Sequence, residues 1–130
     1  MDYSDIITRV QKIADRNIQT RLNTGSSVSF ELQLSEELHT DYEQLNTMFL
    51  AKYDMSLDVV FTKRIIEKVK ELLVYTEQSI AQIAKALGYR KTSELSEQLL
   101  AYTGLSAVHF KQIRKNKQDI IRTQQKQNGL

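Results

Sequence analysis

Shifted by 50 residues, the chain matches itself without a gap. Ser29, Leu45, Leu50, Ala51, Ser56 and Arg64 fall on Ser79, Leu95, Leu100, Ala101, Ser106 and Arg114. Apolar positions keep the same register: Phe30 with Ile80, Leu34 with Ala84, Phe49 with Leu99, Met55 with Leu105, and Val60 with Phe110. Each copy runs cap residue, short apolar-periodic segment, turn, second periodic segment, turn, cap residue. That order is the plan of a helix-turn-helix. Two unrelated amphipathic helix pairs would not be expected to hold caps, core positions and a closing serine in one register.

The spacing predicts helix throughout. The chain has no proline and four glycines, so few positions force a break. Ser4 is the candidate cap of a first helix reaching about Leu22, with Ile6, Ile7, Val10, Ile13, Ala14 and Ile18 at helical spacing. Its expected role is to pack on the first repeat, ahead of a dimer or partner contact. Asn23-Thr24-Gly25-Ser26-Ser27 is a loop, and Ser29 caps a short helix carrying Phe30 and Leu34. After a turn at His39-Thr40-Asp41, a second helix carries Leu45, Met48, Phe49 and Lys52, and Asp54 closes it. Ser56 then caps one long helix from Leu57 to about Tyr75. The pattern returns with a Ser79 cap, a tight turn at Gly88, a helix holding Leu95, Leu99 and Leu100, and Thr103-Gly104. Ser106 caps the last helix, and the glutamine-rich stretch from about Asn116 is expected to fray.

The expected fold class is therefore all-α: two tandem helix-turn-helix subdomains joined by a long linker helix, plus an N-terminal helix. The expected segments are 1–28 (N-terminal helix and loop), 29–56 (first helix-turn-helix), 57–76 (linker helix), 77–116 (second helix-turn-helix) and 117–130 (polar tail).

Composition bears on function mostly by exclusion. There is no cysteine, and His39 and His109 are the only histidines, so no metal site and no cofactor is expected. No nucleophile–base spacing and no glycine-rich phosphate loop argues for an enzyme. No apolar run approaches the ~18 residues of a membrane span, and nothing resembles a signal peptide. The expected setting is soluble and cytoplasmic, with no membrane partner.

Charge is unevenly placed. Residues 1–60 hold 5 Lys/Arg against 10 Asp/Glu, a balance of −5, whereas residues 61–130 hold 13 against 6, a balance of +7. A positive half of this kind suits a polyanion.

With these residues in view, 29–115 resembles the C-terminal DNA-binding domain of AraC/XylS-type transcription regulators. The strongest stretch is SIAQIAKALGYRKTSELSEQLLAYTGLSAVHFKQIRK, preceded by RIIEKVKELL. Ile80, Ile83, Ala84, Leu87, Gly88 and Tyr89 fit the signature before the turn. Ser96 supplies its hydroxyl residue, and Thr103-Gly104-Leu105-Ser106 fits after the helix. Arg64, Ile65, Val69, Leu72 and Leu73 fit the linker helix. The first unit is similar more weakly, through Leu45, Phe49, Met55 and Ser56. Small bacterial relatives with a short N-terminal region are the nearest type.

The resemblance implies binding to double-stranded DNA through recognition helices at 41–52 and 92–102, as a monomer or weak homodimer, with RNA polymerase or another protein as a further partner. Carried over position by position, the base-facing residues are Glu43, Asn46 and Thr47 in the first helix, and Thr92, Ser93, Ser96 and Glu97 in the second. Asn can pair with adenine, Ser and Thr with several base edges, and Glu can accept from cytosine N4. The phosphate candidates are Lys52, Lys63, Arg90, Lys91, Lys111, Arg114 and Lys115. A linker of ~19 residues spans roughly 29 Å, close to one DNA turn of ~34 Å, so one chain could read two neighbouring major-groove segments.

This sequence also departs from the family. Leu50-Ala51 and Leu100-Ala101 stand where lysines are common, and position 97 is Glu with Glu94 nearby. The alternative reading of that surface is a degenerate helix-turn-helix acting as a protein-interaction or oligomerisation module without DNA binding.

Overall fold

The computed structural model describes residues 5–26 and 28–128, with side chains up to residue 124. Among the described residues there are seven helices and no strand: α1 (Ile6–Thr24), α2 (Phe30–Leu38), α3 (Tyr42–Tyr53), α4 (Leu57–Tyr75), α5 (Ile80–Leu87), α6 (Thr92–Thr103) and α7 (Ala107–Asn128). The expected Ser4 cap and the end of the Asn23–Ser27 loop at Ser27 lie outside the described residues. The chain divides into two units. One comprises Met1–Glu67 with Ala86–Gly88, the other Lys68–Lys85 with Tyr89–Leu130. The division falls within α4, so its first half closes the first unit and its second half opens the second.

The first unit is built on one apolar cluster. Ile6, Val10, Ile13 and Ala14 of α1 join Phe30, Leu34 and Leu38 of α2, Leu45 and Phe49 of α3, and Leu57 and Val60 of α4. Phe30 stacks on Phe61 with centroids 4.3 Å apart, and Phe49 meets Tyr53 tilted at 5.0 Å. The first helix thus packs on the first repeat, as its periodicity suggests. It runs two residues beyond Leu22, because Gly25 at φ 70° takes the left-handed closing position and its N–H returns to the Arg21 carbonyl. Asn17 departs from expectation: it is buried at 1% exposure and donates to the Val28 carbonyl and to Gln33 Oε1. Those two bonds satisfy the amide nitrogen and tie α1 to the entry of α2, while Asn17 Oδ1 is buried without a hydrogen-bond partner among the described residues. Arg64 of α4 grips Asp15 of α1 with two bonds of 2.8 and 2.7 Å. The bond to Asp15 raises the Arg64 pKa above its usual value, against the opposing effect of burial.

The second unit repeats the burial pattern. Val69, Leu73, Ile83, Ala84, Leu95, Leu99 and Phe110 are buried in it. Leu95 and Leu99 occupy the places of Leu45 and Phe49, and Phe110 that of Val60. Ser79 accepts from Gln82 N–H while Gln82 Oε1 accepts from Ser79 N–H, a reciprocal cap that starts α5. The turns differ between units. The second repeat closes α5 and α6 with Gly88 (φ 87°) and Gly104 (φ 73°), whereas the first repeat uses His39 (φ 51°) and Asp54 (φ 54°) in the same left-handed region. A side chain there is strained where glycine is not, so the first unit carries local backbone strain of about 1 kcal/mol per site.

The expectation of fraying from Asn116 is not met: α7 continues as helix to Asn128. No proline or glycine interrupts residues 107–128, and Gln, Lys and Arg are good helix formers, so propensity sustains the helix where apolar periodicity weakens. Lys117 reinforces it, donating to the Tyr75 hydroxyl at 3.2 Å and lying 4.8 Å from that ring's centroid.

Candidate nucleic-acid interface

In α3 the core face is Leu45 and Phe49, both buried. The opposite face carries Glu43, Asn46, Thr47, Leu50 and Ala51, at the i, i+3, i+4, i+7, i+8 spacing of one helical stripe. In α6 the core face is Leu95 and Leu99, and the outward stripe is Ser93, Ser96, Glu97, Leu100 and Ala101. The two stripes occupy matching places. Along each, burial follows the same order: Glu43, Thr47 and Leu50 are exposed with Asn46 half-buried, and Ser93, Glu97 and Leu100 are exposed with Ser96 half-buried. Thr92, also exposed, is the first residue of α6.

Local bonds hold each stripe at its angle. Asn46 Oδ1 accepts the Leu57 N–H at 2.8 Å, fixing the turn between α3 and α4. A two-point pair with adenine needs both Asn46 amide atoms, so Oδ1 would have to accept from the base with its second lone pair. Thr47 Oγ1 donates to the Glu43 carbonyl at 2.9 Å, which keeps its lone pairs as acceptors. In the second unit the Tyr89 hydroxyl donates to Gln98 Oε1 at 2.6 Å, fastening the turn to α6. Glu43 and Glu94 lie in the first turns of α3 and α6. There a carboxylate complements the positive end of the helix dipole, worth about 0.3–1 kcal/mol, so their presence has a folding reason independent of any ligand. Glu97 has no such position.

Tyr42 at the start of α3 donates to Asp58 Oδ1 of α4 at 2.8 Å. Burial of the hydroxyl first, then that bond and the Asp58 and Glu31 charges, raise its pKa well above the ordinary 10.0. The sign follows directly: the contribution is complete below the ordinary tyrosine value and is lost as pH climbs through the raised folded-state value. Tyr42→Phe is expected to cost about 1 kcal/mol in urea unfolding at neutral pH. In an alkaline titration of phenolate absorbance, the substitution should remove one late-ionising tyrosine. An unchanged titration profile would show that the bond is absent in solution.

The seven expected phosphate contacts separate into two groups. Lys52, Lys63, Arg90, Lys91 and Lys115 are exposed. Lys63 Nζ lies 3.5 Å from Met55 Sδ, and Lys52 Nζ 5.6 Å from the Tyr53 ring centroid. Lys91 also occupies the residue before α6, a helix start with no side-chain cap. Lys111 and Arg114 are half-buried and already engaged: Lys111 Nζ donates to the Thr76 carbonyl and Arg114 Nη1 to the Val74 carbonyl, each at 3.4 Å. Arg114 also pairs with Glu77 at 3.5 Å. These cations satisfy carbonyls at the end of α4, where the helix dipole is negative. Burial and the neighbouring Arg114 lower the Lys111 pKa, with Glu77 opposing. Repeat-equivalent Arg64 and Arg114 thus both fasten a long helix to the structure ahead of it. The sequence pairs them as equivalents, but their partners arise only in the fold.

His109 is exposed, with Nδ1 2.8 Å from Ser106 Oγ. Among the described residues no group of three metal-ligating side chains assembles, and no helix is long and apolar enough to cross a membrane.

Residues 34–113, more than half of the chain, match a helix-turn-helix domain family of the AraC type. The chain belongs to that family, one of DNA-binding regulator domains. Two solved structures share the fold. The C-terminal domain of AraT, a response regulator from Geobacillus stearothermophilus, is 23% identical with a TM-score of 0.66 over 88% of this chain and 89% of that one. A DNA-binding transcriptional dual regulator from Escherichia coli K-12 is 19% identical with a TM-score of 0.68 over 85% and 92%. No curated protein sequence matches the chain.

Proposed function

We propose that this chain is a sequence-specific transcription regulator that reads two adjacent major-groove segments of double-stranded DNA, one with α3 and one with α6. The observation that carries the reading is the pair of outward stripes: two helices of 12 residues each, at matching places in a repeat, with polar residues held outward by a buried apolar face. On this reading Glu43, Asn46, Thr47, Thr92, Ser93, Ser96 and Glu97 meet base edges. Arg90, Lys91, Lys52, Lys63 and Lys115 neutralise phosphates. Lys111 and Arg114 hold α7 in place and act on DNA only indirectly. A base contact from Glu requires a donor edge such as cytosine N4, so the acidic residues add specificity while the cations supply affinity.

A hydroxyl-radical footprint on a duplex selected from a random-core pool tests the two-segment claim. The expected pattern is two protected patches on one face, separated by about 10 base pairs. A single patch would mean that one unit alone engages the groove.

A second reading is favoured by one observation. Leu105 and Val108 are exposed at 38% and 76% near the end of α6, where the first unit has half-buried Met55 and the charged Asp58. That surplus of apolar surface in the second unit suits a protein contact. It predicts self-association or partner binding that is weakened by Val108→Asp.

A further inference from the structure

Leu50 and Leu100 are each about half exposed, at 48% and 53%. Leaving a leucine in water at the same place in both copies of a repeat has a cost, so its geometry matters. Leu50 follows Glu43 by seven residues, and Leu100 follows Ser93 by seven. Seven steps of ~100° bring a residue back to within about 20° of its starting direction. Each leucine therefore extends the outward stripe and lies well away from the core face. Along the axis it stands about 10 Å further on, close to three base-pair steps of 3.4 Å.

The surroundings of each leucine identify what it meets. Its stripe neighbours are Glu43, Asn46, Thr47 and Ala51 in α3, and Ser93, Ser96, Glu97 and Ala101 in α6. In α3 the only apolar stripe neighbour of Leu50 is the small Ala51, too little for a protein-docking patch. Leu100 holds the same place in α6 beside Ala101, so one role common to both copies is not explained by the extra apolar residues Leu105 and Val108 of the second. The same arrangement, with exposed Lys52 in one unit and Arg90 and Lys91 in the other, suits the edge of a duplex. In the major groove the apolar feature that a base pair presents is the C5-methyl group of thymine.

We propose that Leu50 and Leu100 each recognise the methyl group of a thymine, at equivalent positions in two DNA sub-sites. The proposal rests on the DNA-binding reading above and deepens it. The two sub-sites share a thymine in register and otherwise differ, because Glu43, Asn46 and Thr47 correspond to Ser93, Ser96 and Glu97. The two sub-sites thus have one common element, set by the two leucines.

The test uses the full chain and a duplex enriched from a random-core pool. Each shared thymine is replaced in turn by deoxyuridine, which removes only the methyl group. Affinity is expected to fall about fourfold at each replacement, the value of one buried methyl-sized group. Leu50→Ala should erase the thymine–uracil difference in the first sub-site and leave the second intact, and Leu100→Ala should do the converse. Both sites are exposed, so the variants should melt with the parent chain, and the uracil duplexes test the wild-type protein without any variant. Specific binding without thymine–uracil discrimination would overturn the proposal and leave DNA binding standing. Discrimination that survives both leucine substitutions would overturn it equally. Unchanged DNA affinity in the variants, together with loss of a self-associated form in sedimentation, would assign the leucines to a protein contact. Absence of any duplex binding by the wild-type chain would remove the underlying reading itself.

Discussion

Phe49→Ala is expected to destabilise the first unit by about 3–5 kcal/mol, the largest stability effect of any single truncation in the chain. Phe49 is fully buried and lies in the cluster where α1, α2, α3 and α4 meet. Removing the ring loses its transfer free energy and leaves a cavity that four helices cannot close together. It also removes the tilted contact with Tyr53. The same truncation at the repeat-equivalent Leu99 should cost less, about 2–5 kcal/mol, because fewer atoms are deleted. Leu50→Ala, one residue along the chain from Phe49 but on the exposed stripe, should cost under about 1 kcal/mol. Urea unfolding followed by helical circular dichroism checks all three. Equal losses at Phe49 and Leu50 would contradict the assignment of core and outward faces on α3.

The second large effect is on binding. Reversing two charges together, with Arg90→Glu and Lys91→Glu, is expected to weaken duplex binding by 10- to 100-fold, on the order expected for two lost phosphate contacts and the repulsion that replaces them. Both side chains are exposed and flank the start of α6, which has no side-chain cap. The loss should be similar across duplex sequences, because phosphates carry no base identity. It should also flatten the dependence of log K on log salt by about 2. Lys111→Ala makes the contrast. Its ammonium donates to the Thr76 carbonyl at the end of α4, so its removal should lower stability more than DNA affinity. If Lys111→Ala proved the more damaging to binding, the division of the cations would be wrong.

Much of the fold is legible in the sequence because it depends on periodicity and repetition. The 50-residue register places α3 and α6, the serine caps locate helix starts, and the span Leu57–Tyr75 for α4 follows from its unbroken pattern. Leu45, Phe49, Leu95 and Leu99 are core positions by spacing, and they are buried. Other features depend on contacts between distant residues or on backbone angles, and spacing does not encode those. Asn17 would be placed at the surface by polarity alone, yet it is buried with its amide nitrogen bonded to Val28 and Gln33. The Asn46 carbonyl oxygen closes a turn to Leu57, a bond that depends on the angle between α3 and α4. Lys111 and Arg114 resemble surface cations in a list of charges, but the carbonyls at the end of α4 take them up. The helical course of 117–128 escapes apolar-periodicity reasoning because propensity sustains it, with Lys117 packed on Tyr75.

The acidic residues illustrate the same division. By sequence, Glu94 and Glu97 weigh against an anionic ligand, while Glu43 and Glu97 are also base-facing candidates. In the structure Glu43 and Glu94 lie in the first turns of α3 and α6, where they complement the helix dipoles, so their presence has a folding reason that Glu97 lacks.

Duplex binding by α3 and α6 is the property on which the rest depends. It is tested most directly by titrating the intact chain against labelled double-stranded DNA by fluorescence anisotropy, at low and at physiological salt. Five exposed cations assigned to phosphates predict saturable binding whose log affinity falls with log salt at a slope of about −4 to −5. Binding that is absent at low salt, or flat across the two conditions, would contradict the account and leave the outward stripes of α3 and α6 to a protein partner.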